Sequence, residues 1–98
     1  MRKCYLLVHS SKVASQEQMK TVLNSISEVR TWRTDIANCF YVVSETDAKT
    51  LGNLIREKAG QSGRFIISEI PENRYGWLTK KSWYFIKNKR VKPARERS

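Results

Sequence analysis

The sequence predicts an α+β domain in which strands and helices follow the order β-α-β-β-α-β, and three observations predict it. Apolar runs rich in strand-forming residues occupy 3–9, 39–43 and 64–70, and a more polar run of the same kind occupies 30–34. Helical periodicity fills the stretch after the first run and the stretch before the last. The tetrapeptide "DIAN" at 35–38 has the residues of a tight turn, so the second and third strands are predicted to form a hairpin.

The first helix is predicted from a start signal and an apolar face. Ser15 and Gln18 fit a capping box, in which a hydroxyl and a glutamine side chain each satisfy a backbone N–H group at the helix start. One face of the helix that follows carries Met19, Val22, Leu23, Ile26 and Val29. We expect this face to belong to the core.

The second helix is predicted to begin near Ser44 or Thr46. Asp47 then lies in its first turn, where a negative charge favours the helix dipole. Its predicted buried face is Ala48, Leu51, Leu54, Ile55 and Ala59. Gly60 and Gly63 end it, because glycine readily leaves the helical conformation.

Together these elements predict a ferredoxin-like sandwich: an antiparallel sheet with two helices on one face, the other face available to a partner, and a short C-terminal extension. We expect one domain at 1–87 and a basic, disordered tail at 88–98. The sequence leaves the conformation of 79–88 open. Thr79 can cap a helix there, whereas the alternation within "WYFI" fits a strand equally well.

The charge of the chain is concentrated at its C-terminal end. The net charge is +10, from nineteen Lys and Arg against nine Asp and Glu. Residues 1–73 contain ten basic and eight acidic residues, whereas residues 74–98 contain nine basic residues and Glu96 as their one acidic residue. A near-neutral domain with a concentrated basic end is typical of proteins that bind an anionic partner, most often a phosphate backbone. A solubilising tail without a specific partner is the alternative.

Two further features concern the compartment. No apolar run approaches the roughly 18–20 residues of a bilayer-spanning helix, and Cys4–Val8 is too short for the h-region of a signal peptide. Cys4 and Cys39 make neither a CxxC motif nor a four-ligand zinc site. We therefore expect a cytoplasmic protein with no membrane partner, whose two thiols are buried as small apolar groups.

The sequence does not predict an enzyme. His9 is the only histidine, and its neighbours Ser10 and Ser11 are adjacent along the chain, where the geometry of a nucleophile–base pair is rarely reached. A surface or loop position is expected for it. Asp35 and Asp47 have structural roles in a turn and at a helix start, and no phosphate-binding or HExxH motif is present. We predict no catalytic residue, no metal site and no cofactor.

Aromatic and basic residues are interleaved near the C-terminus. Half of the aromatic residues occur in "RYGWLTKKSWYF" at 74–85. Rings stack on bases and cations contact phosphates, so this composition favours a nucleic-acid contact. An alternative places base stacking on the central strands, as in RNA-recognition motifs, through Tyr5 and Phe40 or Tyr41. The segment "NCFYVV" lacks the [KR]-G-[FY] start of that consensus.

Read together, the segments from about 3 to 87 resemble a family of small bacterial SinR-like proteins related to the CRISPR-associated adaptation nuclease family. The resemblance is carried by "CFYVVSETDAKTLGNLI" at 39–55, "GRFIISEI" at 63–70 and "YGWLTKKSWYFI" at 75–86. The last segment is similar to the Gly-Trp-Leu…Trp…Ile ending of those proteins and is the most specific of the three.

The resemblance implies a ferredoxin-like fold, a homodimer and contact with nucleic acid. Some members of the CRISPR-associated branch are metal-dependent endonucleases that use an aspartate at the tip of the first strand. The matching position here is His9-Ser10, and neither residue is a carboxylate. This departure argues against metal-dependent cleavage.

Our leading hypothesis is a non-enzymatic nucleic-acid-binding homodimer that uses its basic C-terminal region. The predicted phosphate contacts are Lys80, Lys81, Lys87, Lys89, Arg90, Lys92, Arg95 and Arg97, with Arg30 and Arg33 as second candidates. Tyr84 is the predicted aromatic contact, with Tyr75 also at the surface, whereas Trp77, Leu78, Trp83 and Ile86 are predicted to close the core or a dimer seam. The alternatives are a divergent metal-dependent endonuclease and a protein-interaction module in phage–host interference or toxin neutralisation. The choice between DNA and RNA stays open.

Overall fold

The structure is a computed structural model that describes residues 1–89. This part of the chain contains four strands and three helices. The strands are β1 (Lys3–His9), β2 (Val29–Ile36), β3 (Cys39–Ser44) and β4 (Phe65–Glu69), and the helices are α1 (Gln16–Ser25), α2 (Ala48–Ala59) and α3 (Lys80–Asn88). The sheet has the order β2-β3-β1-β4, and every neighbouring pair is antiparallel. The predicted small α+β domain with an antiparallel sheet is therefore confirmed, and the strand order is compatible with a ferredoxin-like fold.

The first face of the sheet, which carries Tyr5, Leu7, Phe40 and Val42, lies beneath α1 and α2. Side chains at alternate positions of a strand point to the same face, so β1 and β3 each supply two of these residues. Met19, Leu23, Leu51 and Ile55 of the two helices pack on them, and all four are fully buried. The predicted helix faces thus form the main core of the domain.

The start of α1 follows its predicted signal, whereas the start of α2 and the end of α1 differ from the prediction. Asp47, predicted in the first turn of α2, is its N-cap, and Ser44 is the last residue of β3. Ser15 caps α1 with both hydrogen bonds of a capping box to Gln18, and Asp47 caps α2 by accepting a hydrogen bond from the Thr50 backbone N–H at 2.8 Å. The prediction that Ile26 and Val29 continue the apolar face of α1 is wrong. Ile26 ends the helix in an extended conformation and Val29 begins β2, yet both are buried in the same core. Apolar spacing alone cannot distinguish these cases.

The second face of the sheet, which carries Cys4, Leu6, Tyr41 and Val43, is not left available as predicted. The segment before α3 and α3 itself cross it, and Ile86 forms a second buried cluster with Cys4, Tyr41 and Val43. Leu78, Trp83 and Phe85 pack against that cluster and are partly buried. The prediction failed because the conformation of 79–88 was undecided, and a strand there would have offered no helix to cover the face.

One part of the second face remains exposed to solvent. Ile36, Cys39, Val8 and Ile66 are paired in register across all four strands, and we call them the open row. Ile66, Ile36 and Val8 are 64%, 53% and 41% exposed, whereas Cys39 is 8% exposed. Exposed apolar side chains in one contiguous patch commonly mark an interaction surface.

Candidate functional site

Helix α3 exists because its start is capped and its buried positions recur at helical spacing. The Thr79 hydroxyl accepts a hydrogen bond from the Ser82 backbone N–H at 3.2 Å, which satisfies one of the N–H groups that a helix start leaves without a partner. Ser82 and Ile86, four residues apart, are its buried positions. Lys89 ends the helix in the left-handed conformation, with its N–H bonded to the carbonyl of Phe85.

A cluster of polar side chains at Ser82 ties α3 to β2 and β3. The Ser82 hydroxyl is fully buried, donates to Asp35 Oδ2, and accepts hydrogen bonds from Arg33 Nε at 2.6 Å and from the Thr79 hydroxyl at 3.2 Å. Asp35 Oδ2 also accepts from the Tyr41 hydroxyl at 3.3 Å. Because the buried hydroxyl of Ser82 needs such partners, these hydrogen bonds favour the observed placement of α3 on the sheet.

The same surroundings affect the ionisation of Tyr41. Burial, followed by the charge and the hydrogen bond of Asp35, raises the pKa of Tyr41 to about 12. Its hydroxyl therefore stays protonated at neutral pH and acts as a donor to Asp35. Sequence reasoning missed this cluster, although one signal was present: Ser82 is the polar member of the series Leu78, Ser82, Ile86 at a spacing of four.

The outward side of α3 carries the cations. Lys80, Lys81 and Lys87 are exposed, and between residues 74 and 89 the sequence contains five basic residues and no acidic one. Within the described residues, none of these three lysines makes an ion pair. The ion pairs that do form involve Arg2, Lys3, Lys20 and Arg30.

The second candidate cations have partners within the protein. Arg30 pairs with Glu45 at 3.1 Å, and Arg33 is held by the Ser82 hydroxyl. Arg30 therefore has an acidic partner just after the end of β3, whereas Arg33 lies against α3 with its Nε–H engaged by Ser82. Lys89 is partly buried at the end of α3, and its ammonium donates to the carbonyl of Lys87 at 3.2 Å. Most of the predicted tail at 88–98 lies outside the described residues. So do four of the predicted phosphate contacts: Arg90, Lys92, Arg95 and Arg97.

The aromatic and apolar residues of the segment 75–86 differ in burial, and one of them is not in the core, which was one of its two predicted places. Ile86 is buried, and Leu78 and Trp83 are partly buried, as expected for residues that close the core. Trp77 is 89% exposed, so of its two predicted places the core is wrong, and the dimer seam stays a prediction. Tyr75 is also 89% exposed, and Tyr84 is 54% exposed, which confirms their predicted surface positions.

Tyr75 and Trp77, which we call the aromatic pair, stand beside an apolar groove. The indole N–H of Trp77 donates to the Tyr75 hydroxyl at 3.3 Å. The groove has a volume of about 470 Å³ and is lined by Leu6 and Tyr41 from the sheet, by the aromatic pair, and by Trp83 and Ile86 from α3. Its volume is in the range of small-molecule sites, and its lining is apolar with few polar groups.

The catalytic candidates are not brought together. His9 is 4% exposed, so its predicted surface or loop position is wrong: it lies on the first face, stacked on Phe40 at 5.9 Å. Its Nδ1 is 3.1 Å from the Ser10 carbonyl, and its Nε2 has no hydrogen-bond partner. Asp35 lies in β2 against Ser82, on the other face. Among residues 1–89 no three His, Cys, Asp or Glu residues form a group that could hold a metal ion.

The burial of the other candidate groups follows the prediction only in part. Cys4 and Cys39 are buried and free, as predicted, and burial raises the pKa of the Cys4 thiol to about 12 and also raises that of Cys39. Tyr5, Phe40 and Tyr41, the alternative stacking residues, are buried beneath helices. Bases therefore cannot reach these rings in this arrangement.

Comparisons of the chain with protein-family models, with curated proteins and with solved structures give no match. A search of the helices within residues 1–89 finds none whose length and apolar character would let it cross a bilayer.

Proposed function

We propose that this chain is a ferredoxin-like nucleic-acid-binding protein whose phosphate contacts are made by the exposed lysines of α3 and by the basic residues that follow. The ferredoxin-like assignment is supported by the strand order and by the position of α1 and α2 on one face. Membership of the SinR-like family stays a prediction from the sequence.

The observation that carries the proposal is the unfavourable place of the lysines. A helix start has a partial positive charge, so a cation in the first turn destabilises the helix and a carboxylate stabilises it. The first turn of α3 contains Lys80 and Lys81 and no acidic residue. Charges that cost stability and make no ion pair within the described residues are expected where an anionic partner compensates them.

The position of α3 supports the same reading. The hydrogen bonds of Ser82 and the packing of Ile86 hold the helix on the sheet, so its outward side presents the lysines in a fixed arrangement. A fixed cationic surface loses less conformational freedom on binding than a flexible one. Enzymatic cleavage has no comparable support, because Asp35 is engaged with Ser82 and Tyr41.

Salt-dependent binding tests the proposal. The variant Lys80→Gln, Lys81→Gln, Lys87→Gln should bind a labelled oligonucleotide more weakly than the wild type. The slope of log affinity against log salt should fall by about 2 to 3, because each lost phosphate contact accounts for about 0.7 to 0.9. Fluorescence anisotropy between about 50 and 200 mM salt measures both.

A matched control changes the same charge elsewhere. Lys12, Lys49 and Lys58 are exposed lysines in the loop after β1 and on α2. Their replacement by Gln removes the same total charge and should leave most of the salt slope in place. Equal losses in the two triple variants would mean that net charge alone attracts the nucleic acid. Absence of any salt-sensitive binding by the wild type would refute the proposal.

The open row favours a second candidate role, a contact with another protein, for which the predicted homodimer is the specific form. Ile66 is its most exposed member and lies on the edge strand β4. If two copies meet there, Ile66→Asp should convert a dimer to a monomer in multi-angle light scattering. A wild type that is monomeric at all accessible concentrations would rule the homodimer out.

A further inference from the structure

We propose that the aromatic pair is a stacking platform for the unpaired bases of single-stranded nucleic acid, whose phosphates contact the lysines of α3. The inference rests on the proposed function and adds to it the form of the nucleic acid and a direct contact with its bases. The sequence indicated a nucleic-acid contact by the segment 74–85 as a whole and a surface position for Tyr75, whereas it predicted that Trp77 closes the core or a dimer seam.

The exposure of the two rings is the first observation. Tyr75 and Trp77 are each 89% exposed, although aromatic side chains of this size contribute most to stability when they are buried. They are two residues apart in a segment without regular structure, and the bond from the indole N–H to the Tyr75 hydroxyl at 3.3 Å holds one ring beside the other. Two rings held in this way present flat apolar surface to a ligand without first having to be ordered.

The charge around the pair is the second observation. The segment 74–89 that contains it has five basic and no acidic residues, and Lys80 follows Trp77 by three positions. Two carboxylates are nearby: Glu69 pairs with Lys3 at 3.9 Å, and Glu72 lines a hollow together with Arg74 and Tyr75. Arg74 is the basic residue that lines the groove and the hollow, and the other cations of the segment follow on α3. Aromatic rings followed by a cationic helix are the combination that single-strand-binding surfaces use.

The geometry distinguishes a single strand from a duplex. In a duplex each base is stacked between its neighbours, and its faces are not available to a protein ring. An exposed ring beside an apolar groove stacks on a base only when that base is unpaired. The groove of about 470 Å³ that the pair borders offers further apolar surface to such a base.

The same charges argue against a second copy of the chain as the occupant. A two-fold contact places the same patch of both subunits face to face. The cations of 74–89 would then meet their own counterparts, and the two nearby carboxylates, Glu69 and Glu72, are outnumbered by the five basic residues of that segment. An anionic strand carries the complementary charge.

Four ligands of equal length test the inference: an oligothymidine, an oligouridine, an abasic oligonucleotide that keeps the phosphates and lacks bases, and a DNA duplex. The wild type should bind the two strands with bases more tightly than the abasic strand or the duplex. The first two ligands distinguish DNA from RNA. Anisotropy gives the affinity, and quenching of the exposed indole on binding reports the stacking directly.

Variants of the pair assign the effect to the rings. Trp77→Ala should weaken binding of the oligothymidine by about 5- to 140-fold, which is the stacking energy of one base converted to affinity. Its affinity for the abasic strand should be almost unchanged. Trp77→Phe, which keeps a ring, should restore most of the loss. Asn53→Ala, which truncates an exposed side chain of α2 across the sheet from the pair, serves as the control and should bind like the wild type.

The outcomes separate this inference from the proposed function. Equal binding of oligothymidine by the wild type and Trp77→Ala overturns the stacking platform, and so does tighter binding of the duplex. In either case, a loss in the α3 lysine variant leaves the proposed function standing. A wild type that binds none of the four ligands overturns both. A change from dimer to monomer on Trp77→Ala would assign the ring to a seam between copies and would also overturn the inference.

Discussion

The two faces of the sheet are built from the same strands and are used in different ways. The first face is closed: α1 and α2 bury it, and its cluster contains Leu7, Phe40 and Val42 without any exposure. The second face is only partly covered, by one short helix, and keeps a buried polar cluster at Ser82, an apolar groove and the open row. Alternation along β1 and β3 supplies both faces from consecutive residues.

The difference separates stability from function within the molecule. Apolar area removed from water is the main source of folding free energy, and the first face supplies most of it. The second face gives up part of that contribution by exposing Val8, Ile36, Ile66 and the aromatic pair, and it places lysines at a helix start. Features that reduce stability and recur in one place are expected where a partner binds.

The largest expected effect is on the first face. Phe40→Ala should lower the free energy of unfolding by about 3–5 kcal/mol, because Phe40 is fully buried and touches both Trp32 and His9. Ile86→Ala on the second face should cost about 2 kcal/mol, the lower end for such a truncation, since the groove beside it admits water. Urea unfolding measures both. A greater loss for Ile86→Ala would reverse the roles of the two faces.

A second comparison uses two fully buried serines. Ser82→Ala should cost about 0.5–1.5 kcal/mol, because Arg33 and Asp35 lose a partner but remain within reach of water, and it should increase hydrogen exchange mainly in α3. Ser44 is the control: its hydroxyl donates to the Glu28 carbonyl at 2.7 Å, away from α3. Ser44→Ala should lower global stability without a selective change in α3. If both variants leave exchange in α3 unchanged, the Ser82 cluster does not hold the helix.

A third comparison uses two exposed lysines at the second position of a helix, Lys81 in α3 and Lys49 in α2. Either Lys→Glu substitution should raise stability by about 0.3–1 kcal/mol, since a carboxylate is favourable there. We expect only Lys81→Glu to weaken oligonucleotide binding. Thermal unfolding measures the stability of each variant, and fluorescence anisotropy measures its oligonucleotide binding. If Lys49→Glu weakens binding as much as Lys81→Glu does, the proposal is contradicted.

The smallest effect concerns the cap of α2. Hydrogen bonds from the side chain and then the backbone N–H of Thr50, followed by the nearby charge of Lys49, lower the pKa of Asp47 below its ordinary value of 3.8. Because the pKa of Asp47 is lower in the folded state, its ionised carboxylate stabilises the fold above pH 3.8. This stabilisation is lost as the pH falls from 3.8 through the pKa that Asp47 has in the folded protein. The difference in stability between the wild type and Asp47→Asn should therefore shrink only below that pH. Urea unfolding across the acid range checks this, and a difference that disappears near neutral pH would contradict it.

Local signals predicted the first face almost entirely. Capping at Ser15 and the spacing of Leu51 and Ile55 each depend on residues close in sequence, so β1, both helices and the hairpin were predictable. The start of α2 was predicted near Ser44 or Thr46, whereas Asp47 is its cap. The exceptions were the place where α1 stops and the burial of His9, because an apolar strand position can accept a histidine stacked on Phe40.

The second face depends on distant residues, and the sequence did not predict it. The bond between Arg33 and Ser82 joins positions 49 residues apart, and no local pattern reports it. Trp77 was assigned to the core or a dimer seam because it matches the apolar ending of the resembling family, whereas only the three-dimensional path of the segment before α3 shows that its ring is exposed. The basic residues of α3 were predicted, since composition alone shows them, but the partners of Arg30 and Arg33 within the protein, Glu45 and Ser82, were not.

The two buried thiols make this chain convenient for site-directed labelling. Reaction with a maleimide requires a thiolate, and burial raises the pKa of both Cys4 and Cys39. A cysteine introduced by Asn88→Cys at the exposed end of α3 should therefore react first, and the native cysteines need not be replaced. A dye at that position would report oligonucleotide binding beside the lysines and the movement of α3 on the second face.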